Sequence, residues 1–189
     1  MIYLIGGAAR VGKTTLCQQV STTLNIGWVS TDLLMTLLGM TKVAGIKTEW
    51  NATPEALTTN AEWFYPYLER FVWSINSMAE QYVIEGVDFL PSQVSQLSTQ
   101  YPIRTVFLGC SRMTLEVFDQ FPGHSAGYGY LPESMRRQIV QDVPPWSEFI
   151  RQEAERFGYA YVDMVNDFPR RLAEAEMTLT SGSKPLEPI

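Results

Sequence analysis

Residues 2–14 read IYLIGGAARVGKT, and this stretch decides the interpretation of the whole chain. It opens with an apolar run, Ile2–Ile5, passes through a glycine-rich turn and leads into a helical pattern over Lys13–Leu24. The segment Gly7–Thr14 matches GxxxxGK[ST], a pattern that binds nucleotide phosphates when it lies between a buried strand and a helix. Pattern and context therefore agree.

The chemistry of this loop follows from its residue types. Glycines let the backbone curl so that successive N–H groups face a phosphate chain, and the next helix adds the positive end of its dipole. Lys13 is placed to reach the β and γ phosphates, and Thr14 offers a hydroxyl to Mg²⁺. We predict binding of ATP or GTP with Mg²⁺. The predicted nucleotide-binding residues are Gly7, Ala8, Ala9, Arg10, Val11, Gly12, Lys13, Thr14 and Thr15.

Composition limits the partners and the setting. A chain of 189 residues with 46% hydrophobic and 18% charged content suits one domain with a single core. The net charge of −6 argues against a general nucleic-acid binder, which needs clustered Lys and Arg. Two isolated cysteines give neither a disulfide framework nor zinc spacing, and no apolar run approaches membrane-spanning length. We expect a cytoplasmic protein, monomeric or homodimeric, without membrane or nucleic-acid partners.

Short apolar runs alternate with longer helical patterns along the chain. This alternation is typical of a parallel sheet covered by helices on both faces. The fold predicted is α/β: a three-layer, doubly wound P-loop fold with a five-stranded parallel sheet in the order 2-3-1-4-5 and a lid. The predicted strands are Ile2–Ile5, Ile26–Ser30, Tyr82–Glu85, Ile103–Leu108 and Tyr159–Asp163.

Helices are predicted between these strands. The longest is expected to break near Pro66, because proline inside a helix removes a hydrogen bond. The predicted helices are Lys13–Leu24, Pro54–Gln81, Ser92–Thr99, Arg112–Gln120, Trp146–Phe157 and Asp167–Glu176. We assign residues 1–177 to a single P-loop domain and 178–189, rich in Ser, Gly and Pro, to a flexible tail.

In open α/β sheets ligands lie beyond the carboxyl ends of the strands, so the residues that follow each strand are the site candidates. Thr31-Asp32 follows the second strand. A carboxylate at Asp32 could accept the proton of a hydroxyl that attacks the γ phosphate, or contact the acceptor. The alternative is that Asp32 caps the helix that begins there.

Two more carboxylates follow the third strand. Glu85 ends its apolar run and could hold a Mg²⁺-bound water, while Asp88 lies close enough to contact substrate or metal. The alternative for Glu85 is that it only accepts hydrogen bonds at a strand end, and a structural role is equally open for Asp88.

These features together resemble a known group. The combination of Gly7–Thr14, Thr31-Asp32, Glu85-Gly86 and the later Arg136-Arg137 resembles the nucleoside/nucleotide-kinase-like P-loop small-molecule kinases. The resemblance covers most of the chain in outline, but only the phosphate loop is specific. It implies nucleotide-dependent phosphoryl transfer to a hydroxyl or phosphate of a small molecule.

The third strand distinguishes members of that group. Adenylate kinases end it in Asp-Gly-Phe-Pro-Arg followed by Gln, and Glu85-Gly86 with Pro91 and Gln93 looks like a looser relative. The chain uses Glu and lacks the arginine that normally grips a nucleotide acceptor. The stretch Glu85–Asp88 looks closer to phosphoglycerate-kinase-like and antibiotic-phosphorylating members.

A lid is predicted from Phe121 to Pro145, because its first part is rich in glycine and kinases of this group close over the nucleotide. Arg136 and Arg137 are candidates for neutralising charge on the transferring phosphoryl group, and Arg112 for that role or for substrate contact. The alternative for these arginines is a solvated basic helix face.

Aromatic residues between positions 39 and 81 could shape an acceptor pocket. However, Trp63, Tyr67 and Phe71 recur every four residues, which equally predicts a helix face buried against the sheet. Asp163 and Asn166, after the fifth strand, fall where the group's nucleotide base lies, or cap the next helix.

A second class of function is a nucleotide-dependent regulatory NTPase, which binds a partner and has no small-molecule acceptor. The chain lacks an Asn-Lys-x-Asp guanine-reading motif, a Leu-Ser-Gly-Gly-Gln signature and an apolar run ending in Asp-Glu. The absence of these three motifs favours the kinase over the regulatory NTPase. A binding module without turnover is the third reading, and intact Lys13 and Thr14 disfavour it.

Overall fold

The computed structural model describes residues 1–41, 50–78, 80–120 and 131–181. Strands and helices alternate through these ranges. The strands are β1 (Ile2–Gly7), β2 (Gly27–Ser30), β3 (Tyr82–Glu85), β4 (Ile103–Gly109) and β5 (Tyr161–Asp163). The helices are α1 (Lys13–Leu24), α2 (Thr31–Met40), α3 (Pro54–Ser77), α4 (Pro91–Ser98), α5 (Leu115–Gln120), α6 (Glu133–Arg156) and α7 (Phe168–Thr180).

The five strands form one parallel sheet in the order β2-β3-β1-β4-β5, which confirms the predicted α/β class and strand order. Ser30 at the end of β2 pairs with Glu85 at the end of β3, and Gly109 at the end of β4 pairs with Asp163. The carboxyl ends of adjacent strands therefore lie at one edge of the sheet, where ligands bind in this architecture.

The core is centred on β1, whose six residues are all buried. Apolar strands buried on both faces need helices above and below them, and α1, α4, α6 and α7 contact the central strands. None of the helices in the described ranges combines the length and hydropathy needed to span a bilayer.

Helix α3 corrects the expected break at Pro66, because it continues through that residue from Pro54 to Ser77. Pro66 and Glu62, four residues earlier, both lie on the exposed side of the helix, where a lost backbone hydrogen bond is least costly. Phe64 and Leu68, both fully buried, hold the two halves against the sheet. Burial on one side outweighs the missing hydrogen bond on the other.

The aromatic series in α3 also needs correction. Trp63, Tyr67 and Phe71 are half-buried and flank the buried face rather than form it. The fully buried stripe lies one position further along and consists of Ala61, Phe64, Leu68, Val72 and Ile75.

Helix α6 begins at Glu133, well before the predicted start at Trp146. The helix continues through the prolines at 144 and 145, because side chains on both sides of them, Val143 and Trp146, are buried in the core. The second half of the predicted lid, 133–145, is therefore part of α6. The first half, 121–130, lies outside the described residues.

Other boundaries differ by a few residues. β5 starts at Tyr161 rather than Tyr159, and α5 starts at Leu115 rather than Arg112. Helix α7 runs to Thr180 because Leu179 is still buried, so the helix includes the first residues of the segment predicted to be the tail. Residues 182–189 lie outside the described part of the chain.

Candidate functional site

The phosphate loop leaves β1 and returns into α1 through a series of left-handed residues. Gly7 has φ 135°, Arg10 φ 63° and Gly12 φ 92°. The Ala8 amide donates to the Leu108 carbonyl at 3.1 Å, and a Cβ on Gly7 would lie 2.0 Å from that same oxygen. Only glycine permits this approach, which fixes the loop on β4 and lets its amides curl as the sequence predicts.

Lys13 lies buried at the first position of α1. Its Nζ donates to the Ala8 carbonyl at 2.6 Å, across the inside of the loop. Burial lowers the pKa of Lys13, and the carboxylates of Glu85, Asp32 and Asp88 oppose that shift. A polyanion bound in the loop would compensate the buried charge further, so the surroundings of Lys13 fit a phosphate chain.

Thr14 and Glu85 form the second contact of the site. The Thr14 hydroxyl donates to Glu85 Oε1 at 3.1 Å, and the Glu85 side chain is buried at the end of β3. This hydrogen bond joins two residues that were predicted separately as Mg²⁺ ligands. A hydroxyl and a carboxylate are the oxygen donors that Mg²⁺ prefers, and such sites usually also use phosphate oxygens and water.

The described residues contain no group of three or more His, Cys, Asp and Glu side chains arranged to hold a metal ion.

Asp88 lies beside the start of α2. Thr31 Oγ1 donates to Asp88 Oδ2 at 2.5 Å, and a Cβ on Gly86 would lie 1.9 Å from Thr31 Oγ1. Burial raises the pKa of Asp88 to about 6, against the opposing hydrogen bond from Thr31. The carboxylates of Asp32 and Glu85 add to the increase. The segments after β2 and β3 are thus packed together.

Asp32 is exposed in the first turn of α2. The N-cap of that helix is Ser30, whose hydroxyl accepts from the Asp32 amide at 3.3 Å. The alternative interpretation of Asp32 as the cap is therefore wrong, because the helix starts one residue earlier. Its carboxylate acts on both Lys13 and Asp88, which places it with the other two carboxylates.

The candidate arginines are paired with other side chains. Arg136 Nη1 lies 2.6 Å from Asp119 Oδ1, and Arg137 forms a helical ion pair with Glu133. Arg112 Nη2 donates to Asn166 Oδ1 at 3.3 Å, both on the exposed side of the β4 and β5 ends. The pairing of Arg137 matches the alternative of a solvated helix face.

The sequence did not predict the contact between the phosphate loop and Phe168. A Cβ on Gly12 would lie 2.7 Å from the ring of Phe168, the first residue of α7. With Met113 and Met164, Phe168 lines a small apolar pocket of about 50 Å³ that also includes Val11 of the loop. Asp163 accepts from the Ser111 amide at 3.1 Å and ties the β5 end to the β4 end. A contact between positions so distant in sequence leaves no local pattern.

The fold is found in many solved structures. A sugar kinase from Janibacter sp. HTCC2649 matches with a TM-score of 0.52 and 14% identity, covering 95% of this chain and 94% of that one. Shikimate kinase from Acinetobacter baumannii, in complex with shikimate, matches with a TM-score of 0.52 and 13% identity, covering 92% and 88%. Shikimate kinase from Bacteroides thetaiotaomicron matches with a TM-score of 0.50 and 15% identity, covering 96% of each chain.

No protein-family model matches the chain, and no curated protein matches its sequence significantly. The chain shares the α/β fold of these kinases, and a GxxxxGK[ST] loop joins its β1 to its α1.

Proposed function

We propose that this protein is a small-molecule kinase that transfers the γ-phosphoryl group of ATP or GTP to a hydroxyl or phosphate of its acceptor. One observation carries the proposal: the buried Lys13 of the phosphate loop lies within the field of three carboxylates from two neighbouring strand ends, Asp32, Glu85 and Asp88. Glu85 suits the metal that any such loop uses, whereas Asp32 and Asp88 suit an acceptor that approaches from beyond the strand ends. The likeness in fold to sugar and shikimate kinases supports the same chemistry.

In this proposal the loop amides and Lys13 hold the β and γ phosphates. The buried ammonium stabilises charge that develops on the phosphoryl oxygens, and it does so in surroundings that water screens poorly. The Ala8 carbonyl, which accepts from Lys13 at 2.6 Å, orients the ammonium inside the loop.

Thr14 and Glu85 would hold the Mg²⁺ ion that accompanies the nucleotide. Mg²⁺ held by these two side chains would supply positive charge that offsets the charge of the phosphates. The hydroxyl of Thr14, already 3.1 Å from Glu85, keeps the two donors together before the nucleotide arrives.

Asp32 is the proposed base. The acceptor oxygen forms a bond to the γ phosphorus, the bond from that phosphorus to the β–γ bridging oxygen breaks, and the acceptor proton passes to Asp32 Oδ. An exposed carboxylate beside the loop suits this task, because the acceptor can reach it. Asp88, whose carboxylate accepts from Thr31, is the second proposed contact to the acceptor.

Arg136, Arg137 and Arg112 remain candidates for neutralising the negative charge on the transferring phosphoryl group. Their present partners are exposed ion pairs or hydrogen bonds, which contribute only about 0–1 kcal/mol each, so a bound nucleotide can recruit them. We further propose a cytoplasmic protein, monomeric or homodimeric, whose partners are a nucleotide and a small acceptor.

The test is nucleoside diphosphate formation from ATP and from GTP with Mg²⁺, with and without a panel of sugars, nucleosides and amino sugars. We expect acceptor-stimulated turnover that Asp32→Asn lowers about 100-fold with unchanged nucleotide affinity. Glu148→Gln, an exposed carboxylate on α6, is the matched control and should change neither. Nucleotide binding without any acceptor stimulation would instead favour the regulatory NTPase.

A further inference from the structure

Two helices project beyond the carboxyl edge of the sheet. Ser147 of α6 accepts from the Cys110 amide just after β4, so it marks the level of the sheet edge. The segment from Glu133 to Ser147 is about 21 Å long and extends past that level. In α3, Phe71 contacts Tyr82 at the start of β3, and Pro54 lies about 26 Å before Phe71. β3 itself rises only about 10 Å.

The projecting ends flank an open cavity of about 860 Å³. One wall is Trp50 with the start of α3, and the other is the first half of α6, including Met135, Gln138 and Asp142. Ligand pockets span about 300–1,000 Å³, so this one has room for a drug-sized molecule. The cavity lies on the ligand-binding side of the sheet, beyond the same edge as the phosphate loop.

A hydrogen bond joins the two walls. Trp50 Nε1 donates to Asp142 Oδ2 at 2.6 Å, and Gln138 Nε2 donates to Asp142 Oδ1 at 3.0 Å. The Trp50 ring also meets the buried Trp146 ring edge-on, with centroids 5.7 Å apart. Trp50 is therefore held at a fixed angle, and a fixed aromatic ring offers an apolar surface at little entropic cost.

The charge of the residues that line the cavity decides which ligands it favours. Of the lining residues in the described ranges, Asp142 alone is charged, and the others are apolar or neutral polar. A carboxylate has about four lone-pair sites, and two donors occupy Asp142, so it can accept from further donors.

We propose that this cavity binds the acceptor of the proposed transfer, and that the acceptor is a ring compound carrying hydroxyl groups and an amine. Asp142 accepts hydrogen bonds from the amine, and Trp50 with Met135 covers the apolar face of the ring. The expected order of affinity is amine-bearing first, neutral second and carboxylated last. The assignment of the ligand as an acceptor rests on the proposed function, whereas its binding does not.

The test is isothermal titration of the full chain with kanamycin, maltitol and lactobionate, which are sugar compounds that carry amines, no charge and a carboxylate. We expect kanamycin to bind tightest and lactobionate weakest. Asp142→Asn keeps the oxygen that accepts from Trp50 and should weaken kanamycin about tenfold while leaving maltitol nearly unchanged. The matched control, Glu148→Gln, lies on the same helix outside the lining and should change neither.

A second variant does not alter the hydrogen bond between Trp50 and Asp142 that joins the two walls. Met135 is 38% exposed, so Met135→Lys should fold normally and place a cation in the cavity. It should weaken kanamycin and strengthen lactobionate. An order with lactobionate first, no effect of either variant, or no binding of any probe would overturn the cavity assignment. Binding in the predicted order without phosphoryl transfer would support the cavity and count against the proposed kinase activity.

Discussion

At the phosphate loop, nearby carboxylates offset the positive charge of the buried Lys13. The carboxylates of Glu85, Asp32 and Asp88 favour the charged form of Lys13. Asp32 and Glu85 also repel the negative charge of Asp88. Burial, with a contribution from this repulsion, raises the pKa of Asp88. The residue-scale consequence is a site whose charge changes with pH near neutrality.

Asp88 provides a prediction about stability. Its pKa is about 6 in the folded chain against 3.8 for an ordinary aspartate, so the folded state holds the proton more tightly. The free energy of unfolding should therefore fall by roughly 1–3 kcal/mol between pH 4 and pH 7 on account of this group. Urea unfolding of the wild type and Asp88→Asn across that range measures it. The variant keeps an acceptor for Thr31, and a difference between the two proteins that does not vary with pH would contradict the shift.

Asp88 also bears on activity. If it contacts the acceptor as a carboxylate, kcat/KM should rise as pH increases through about 6 and then level off. Asp88→Asn should lower kcat/KM and remove that rise. An unchanged pH profile in the variant would assign the rise to another group.

At the scale of helices and strands, the sequence predicts well where apolar periodicity and local chemistry agree. β3 is predicted with its observed bounds, and α1 likewise, because each is flanked by clear signals. α6 is predicted short because Pro144-Pro145 has the pattern of a helix start, and only the burial of Val143 and Trp146 reveals otherwise.

The candidate site shows the same division. The phosphate loop and the three carboxylates are visible in the sequence, since each follows a strand. The contacts of Thr14 with Glu85 and of Thr31 with Asp88 join distant positions, so they depend on strand order and register. The N-cap of α2 at Ser30 is missed because both Ser30 and Asp32 are favoured cap residues.

The Ser30 cap gives a prediction for α2. Ser30→Ala removes the acceptor of the Asp32 amide and should lower the free energy of unfolding by about 1 kcal/mol. Ser74→Ala makes the same change inside α3 and should be neutral or slightly stabilising, because alanine favours a helix interior. Equal losses in the two variants would mean that the cap contributes nothing specific.

Pro66 gives a prediction for α3. Pro66→Ala restores an amide that can donate to the Glu62 carbonyl and should raise the free energy of unfolding by about 1 kcal/mol. Urea titration with unchanged m-value measures it. A destabilised variant would show that Pro66 has a role beyond the helix itself.

For the whole molecule, the loop contacts β4 at Leu108 and α7 at Phe168, so nucleotide binding should stabilise the entire sheet. Nucleotide with Mg²⁺ at one hundred times its Kd should add about 2.7 kcal/mol and raise Tm by about 5–10 °C. Lys13→Met keeps the buried stem without the charge and should lose that increase. A nucleotide-induced increase that persists in the variant would place binding elsewhere.

The central claim is that the γ phosphate reaches a small molecule rather than water. The direct measurement is the fate of label from γ-labelled ATP or GTP, incubated with Mg²⁺, the wild-type protein and a hydroxyl acceptor. Label in an organic phosphate ester, lost in Lys13→Met, is the result that the account predicts. Label released only as inorganic phosphate, at a rate that no acceptor changes, would contradict it.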